Sequence, residues 1–171
     1  GLELIDKVFP KYGIVPDLIV APGWSDKSNV AAVMTAKADA INTVFTGAKA
    51  LIDADTNTVR HYADAPAWKK AQNMNSKAEI LCWPMFGLGD RAFHASVHAA
   101  GLMGKTDSDN GGCPAESPSN KSLQIDRAML ADGTTVLLDL AQANYLNSNG
   151  IVTALNFIGS YVLWGDETAC F

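Results

Sequence analysis

The stretch that most constrains the fold is the last third of the chain, from Asp139 to Ala169, reading DLAQANYLNSNGIVTALNFIGSYVLWGDETA. Asp139 can accept the free N–H groups of a first helical turn, which makes it an N-cap. Leu140 to Ser148 supply helix formers. The Asn147-Ser148-Asn149-Gly150 cluster then ends the helix, with Gly150 free to take a left-handed C′ position. From Ile151 the character changes: Ile151, Thr153, Leu155 and Phe157 alternate with Val152, Ala154, Asn156 and Ile158. Such a strand is apolar on both faces, as strands in the middle of a covered α/β sheet are. Gly159-Ser160 allow a bend or bulge, and Tyr161 to Trp164 read as a second short strand.

Upstream, strand and helix signals alternate. Leu2, Leu4, Ile5, Val8 and Phe9 have helical spacing, and Pro10 and Gly13 keep that helix short. Asp17 to Pro22 is the first predicted strand. Ser28 or Asn29 is the predicted cap of a helix with the stripe Val30, Met34, Ala38, Ile41 and Phe45. Ala48 to Ala54 reads as a second strand that runs into a polar turn, Asp53 to Asn57. Thr58 to Asn73 is a weaker helix, split at Pro66 or begun there with proline in the first turn. Ala78 to Pro84 is the third strand. Asp90 is the predicted cap of a helix from Arg91 to about Lys105, followed by an irregular Gly/Pro/Asp/Ser-rich loop, Thr106 to Asn120. Leu123 to Ile125 suggests a short strand, and Asp132-Gly133 a hairpin turn. This succession predicts a single α/β domain over residues 1–171: a mainly parallel or mixed sheet covered by helices on both faces, in three layers. No internal repeat or linker divides it.

Charge and cysteine content narrow the function classes. The net charge is −5, with no basic tail, so no nucleic-acid partner is expected. All 13 Lys and Arg lie at or before Arg127, and only Asp132, Asp139, Asp166 and Glu167 carry charge after it. An acidic C-terminal third either complements a basic neighbour or forms a solvated face. Cys82, Cys113 and Cys170 contain no Cys-x-x-Cys pair, which fits a reducing compartment better than a disulfide scaffold. No signal peptide is visible. The longest apolar run, Ile151 to Trp164, falls short of the roughly 20 residues a bilayer requires, so no membrane insertion is expected.

Four motifs bear on chemistry. Gly87-Leu88-Gly89-Asp90-Arg91-Ala92 is a G-x-G-x-x-A placed, on this reading, between a strand and a helix, the context of a dinucleotide fingerprint. Against it, Asp90 puts a carboxylate where the pyrophosphate belongs, and the motif follows the third strand instead of the first. The alternative is a tight strand-to-helix turn capped by Asp90. His94 and His98, four apart on the predicted helix, share a face as two metal ligands would, but no third ligand is apparent. Asp107 to Gly112 opens like a calcium loop, yet its twelfth position is Pro118, which offers no carboxylate. Gly23-Trp24-Ser25 lacks the second glycine of a nucleophile elbow. The residues therefore assign no catalytic, cofactor-binding or metal site. The one enzymatic alternative is a nucleotide-binding α/β domain that uses the Gly87–Gly89 turn.

A second set of segments carries a family resemblance. SPSNK (Ser117 to Lys121), the QANYLNSNGIVTALNFIG segment, and Trp164-Gly165 followed by two polar residues and Thr168-Ala169 resemble the tail sheath proteins of contractile bacteriophage and prophage tails. The resemblance extends upstream through ILCWP (Ile80 to Pro84) and HAAGLMGKTDSDNG (His98 to Gly111). The signal lies in the order and spacing of the motifs, not in any one of them. The pattern departs at Asp166-Glu167, where Asn-like residues would match. The resemblance implies a structural subunit without catalysis or cofactor. Its partners would be other sheath subunits, in hexameric rings stacked helically around a tail tube, and a baseplate. Its location would be the virion tail, after assembly in the host cytoplasm. It also implies further chain on both sides, including arms that link subunits, so that these residues would be the central core of a longer subunit.

Overall fold

The computed structural model describes residues 1–45 and 47–170. Its centre is a five-stranded sheet made of β1 (Leu18–Val20), β2 (Lys49–Asp53), β3 (Glu79–Cys82), β8 (Ile151–Phe157) and β9 (Ser160–Trp164), in the spatial order β1-β2-β3-β8-β9. The first four run parallel, with Ile19 beside Ala50, Leu51 beside Ile80, and Leu81 beside Ile151. Strand β9 returns antiparallel to β8, pairing Thr153 with Trp164 and Phe157 with Ser160. The outer edge of β9 is covered by the segment around Ser122: Leu123 N–H donates to the Tyr161 carbonyl (2.8 Å), and Asn120 N–H to that of Leu163 (2.7 Å). The expected strand at Leu123 to Ile125 is thus a short edge contact centred earlier.

Period-two alternation sends successive side chains to opposite faces, and both faces are buried. On one face Ile52, Leu81 and Ile151 pack with Ala31, Ala65 and Leu146, which belong to α2 (Ser28–Asn42), α3 (Ala65–Ala71) and α5 (Leu140–Asn147). Met34 and Ala38 of α2 extend that layer over Ile19 and Ala50. On the other face Leu51, Cys82, Val152 and Ala154 pack with Ala95 and Ala99 of α4 (Ala95–Asp109). Helix α1 (Val8–Tyr12) follows a 3₁₀ turn, Leu2–Lys7, and stops at Gly13, whose φ is +68°. The α2 cap is the backbone of Lys27, with no side-chain cap bond, in place of the expected Ser28 or Asn29. Phe45 falls beyond the helix and rests on the Phe9 ring, 5.0 Å between centroids. Residues 58–61 form no helix, and a 3₁₀ turn, Tyr62–Asp64, leads directly into the next helix. Helix α3 begins at Ala65 with Pro66 in its first turn, where the missing N–H has no intrahelical acceptor.

A second, antiparallel sheet, which the sequence pattern does not predict, packs beside the first. It consists of β4 (Met85–Leu88), β5 (Arg91–Phe93), β6 (Arg127–Met129) and β7 (Thr135–Val136), in the order β5-β4-β6-β7. Its Phe86 and Ala128 join the core layer that contains α4. Gly89 and Asp90 are the two turn residues of the β4–β5 hairpin, with Leu88 opposite Arg91. Gly89 sits at φ +56°, the first turn position, where a type II′ turn favours glycine. The expected helix cap at Asp90 is therefore wrong. Helix α4 starts after His94 and continues to Asp109, past the expected end at Lys105. Leu130 and Thr134 close the β6–β7 turn around Asp132-Gly133 (Leu130 N–H to Thr134 carbonyl, 2.8 Å), at the expected hairpin position.

The C-terminal third is assembled as its residues dictate. Asp139 and Gln142 form a reciprocal capping box on α5, with bonds of 2.8 and 3.1 Å. Gly150 has φ +67°, and a Cβ there would lie 2.4 Å from the Thr168 carbonyl oxygen, so only glycine fits between α5 and β8. The fully buried aromatics are Trp83, at 1% exposure, and Phe86, at 0%. Trp164 is half-buried against Ala143, Leu155 and Val162, and its indole N–H donates to Asn144 Oδ1 (3.0 Å).

Candidate functional site

At the carboxyl end of the parallel strands, where ligands of open α/β sheets bind, the chain gathers Ser25, Asp53, His94 and Ser96. Asp53 is the last residue of β2 and is 4% exposed, not part of a polar turn as expected. Its Oδ2 accepts the hydroxyls of Ser25 (2.9 Å) and Ser96 (2.6 Å), and its Oδ1 accepts the Ser96 backbone N–H (2.8 Å). Ser25 Oγ in turn accepts the Asp53 N–H at 3.0 Å. His94 Nδ1 lies 3.7 Å from Asp53 Oδ2. A carboxylate thus meets the first turn of α4, where free N–H groups and the helix dipole favour negative charge.

The cluster holds two serines, a histidine and an aspartate, but their arrangement is that of a brace. Ser25 and Ser96 are both 0% exposed. Their hydroxyls are spent as donors to the Asp53 carboxylate, and neither oxygen is open to a substrate. The cluster joins three segments: the loop after β1, the end of β2 and the start of α4. A carboxylate inside the apolar run KALIDA was the sequence signal for it, since a buried charge needs dedicated donors.

The other sequence candidates separate. The Gly87 motif lies in a β-hairpin, so no helix opens at it and no helical N–H groups face a pyrophosphate. Gly89 N–H is already taken by Asp126 Oδ2 (2.5 Å). A Cβ at Gly87 would lie 2.8 Å from the Arg127 side chain, which gives that glycine a packing role. His94 caps α4 from outside the helix, while His98 is within it, its ring between Phe86 and Phe93 at 5.7 and 5.3 Å. His94 faces Asp53 while His98 lies on the two phenylalanine rings, and among the described residues no group of three or more His, Cys, Asp or Glu could hold a metal ion. Asp107, Ser108 and Asp109 belong to the last turn of α4. Gly101 and Gly104 of α4 are exposed with open space beside them, so neither serves close packing on the sheet.

Three of the four C-terminal carboxylates have partners within the chain. Asp132 pairs with Arg60 (2.6 Å) and accepts Thr134 N–H, which together with the pairing hold its pKa down to about 2. Asp139 caps α5, and Asp166 accepts from Asn147 (3.2 Å). The acidic third is mostly spent on internal bonds. Cys82 is buried, and burial pushes its thiol well above the ordinary range. No helix among the described residues is long and apolar enough to cross a membrane.

His98 gives a pH-dependent expectation. Burial holds its pKa below the ordinary 6.5, so the folded chain binds its proton less readily than the unfolded chain. Stability from this group is complete above 6.5 and declines as the pH falls through that value. Thermal unfolding followed across this range should show a decline that is smaller in His98→Gln. Equal declines in the two proteins would remove His98 as its source.

No family model matches the chain. It is 30% identical, across 98% of its length, to the "Putative prophage major tail sheath protein" of Pseudomonas aeruginosa (strain UCBPP-PA14), and it spans 42% of that relative. Among solved structures, its fold matches a chain of the anti-feeding prophage helical sheath in its contracted state, with TM-score 0.65 and 23% identity. A chain of the anti-feeding prophage baseplate matches at TM-score 0.65 and 20% identity. Each match covers 98% of the present chain and 42% of the other.

Proposed function

We propose that this chain, related over nearly its whole length to part of a prophage tail sheath protein, is the central core of a contractile tail sheath subunit. The observation that carries the reading is the 30% identity over 98% of the chain. The shared fold with a contracted sheath is consistent with it. The subunit would polymerise with its own copies in hexameric rings along a helix, surround a tail tube and meet a baseplate. It would be built in the host cytoplasm and end in the virion tail. Contraction of the lattice would drive the tube through a host envelope.

The described structure suits a body that moves without deforming. The five-stranded sheet contributes buried side chains to core clusters shared with helices, and the Asp53 brace ties three segments together at one end. Packed cores of this kind change state at interfaces and hinges, not by continuous strain. A contact between unlike surfaces of identical subunits propagates as a helix when the rotation does not close. The stored energy would then reside in the difference between two lattices, without a nucleotide or other cofactor. We propose no enzymatic role: the Ser25 and Ser96 hydroxyls serve Asp53, and the Gly87 motif is a hairpin. Electron microscopy of the full-length protein tests this reading, with regular tubes as the expected product.

A further inference from the structure

The sequence contains two Asn-Gly pairs, Asn110-Gly111 and Asn149-Gly150, and the fold treats them oppositely. Such a pair is chemically labile. The glycine amide nitrogen, with no Cβ beside it, can reach the asparagine side-chain carbonyl carbon once the peptide unit between them rotates. At Asn149 that rotation is opposed from both sides. The Asn149 carbonyl accepts from Lys69 Nζ (2.5 Å), Gly150 N–H donates to the Asn147 carbonyl (2.8 Å), and the Asn149 amide donates to the Tyr145 carbonyl (2.8 Å). Gly150 is buried, with the Thr168 carbonyl where a Cβ would go. At Asn110 the chain is open. Asn110 is the residue that ends α4, and both it and Gly111 are exposed. The space beside Gly111 is empty, and its N–H makes a longer bond, 3.1 Å, to the Ser108 carbonyl in the last helical turn, where helices fray.

We propose that Asn110-Gly111 is a self-modification site of the folded chain. The Gly111 nitrogen bonds to Asn110 Cγ, the side-chain nitrogen leaves as ammonia, and water opens the resulting succinimide to aspartate or isoaspartate. One water is consumed and no oxidation state changes. The product matters to the loop that follows. The Asn110 amide donates to the Thr106 carbonyl (3.0 Å) and to Glu116 Oε2 (3.2 Å), which ties the loop back to the helix. Hydrogen bonds from Lys121 and Asn110 hold the Glu116 carboxyl below the ordinary carboxylate range, so it is ionised. A carboxylate at position 110 has no hydrogen to donate to either acceptor and faces a like charge. Residues 112–117 should then come away from α4.

Ageing the full-length protein at neutral pH and mapping its peptides by mass spectrometry reads both pairs in one sample. Conversion at Asn110 should run about tenfold faster than at Asn149 or more, the factor that about 1.4 kcal/mol of local opening free energy supplies. The same ratio measured in denaturant isolates the part played by the fold, and there it should approach unity. A native ratio no larger than the denatured one would overturn the proposal, as would an Asn110 that keeps its amide. Asn110→Asp installs the aspartate product directly. Hydrogen exchange across residues 112–117 should be about tenfold faster in that variant than in wild type. Equal exchange in the two proteins would show that the Asn110 amide does not hold the loop.

Discussion

Replacing Trp83 by alanine should lower the unfolding free energy by about 3–5 kcal/mol, the usual cost of removing a large aromatic side chain from a closed core. The ring is 1% exposed and belongs to the cluster of Ile52, Val59, Leu81, Leu146 and Ile151, where strands β2, β3 and β8 meet helix α5. Its indole N–H donates to the Val59 carbonyl at 2.9 Å, so the same side chain fixes the irregular segment before α3. Its backbone N–H donates to the Val152 carbonyl, extending the β3–β8 pairing by a residue. Alanine keeps that backbone bond, leaves a large cavity and strands the Val59 carbonyl. Domains of this kind are typically stable by about 5–15 kcal/mol, so the variant should be close to marginal. Denaturant unfolding measures the loss directly. A loss below about 1 kcal/mol, the range of many surface changes, would mean that the ring is not enclosed as described.

Asp53→Ala should be comparably damaging for an electrostatic reason. The carboxylate receives the hydroxyls of Ser25 and Ser96 and the backbone N–H of Ser96, all in a buried setting. Deleting it leaves three donors without an acceptor, and breaking buried polar networks of this kind costs about 3 kcal/mol or more. The start of α4 loses the negative charge that complements its dipole. Asp53→Asn should recover part of the loss, since its amide oxygen can accept from Ser96 while its NH₂ meets the other donors unfavourably. Hydrogen exchange gives a second readout. In Asp53→Ala, protection should fall first in the loop at Ser25 and at the N-terminus of α4. A uniform loss throughout the molecule, or none, would contradict a local brace.

The sequence made much of the main sheet legible, because its signals were local. The alternation from Ile151 to Phe157, the Asp139 cap with Gln142 three residues on, and Gly150 at the stop each act within a few residues of themselves. The four parallel strands were legible for the same reason. The second sheet was not. Its strands are two to four residues long, too short for a periodic pattern, and its central pairing, β4 with β6, spans the long segment that contains α4. Gly87-Leu88-Gly89 was read with the following helix because glycine serves a strand-to-helix turn and a hairpin alike. What separates them is the pairing of Leu88 with Arg91, a fact of tertiary structure. Asp53 shows the same limit from another side. Beside Asp55 and Asn57 it reads as part of a solvated turn, and only the distant Ser25 and Ser96 make it a buried acceptor. Ile158 was placed within the strand by its β-branched side chain, whereas the chain reverses there against that preference. The tail sheath resemblance rested most on the segments from Gln142 to Ala169, where the cap, the glycine stop and the strand alternation are local signals.

The central claim is that this domain belongs to a subunit that assembles into a contractile tube. The most direct test is negative-stain electron microscopy of the full-length protein, purified and concentrated stepwise, with sedimentation run in parallel. The account predicts tubes of uniform diameter with a helical repeat, appearing above a threshold concentration. A protein that remains monomeric at every concentration it can reach would contradict it.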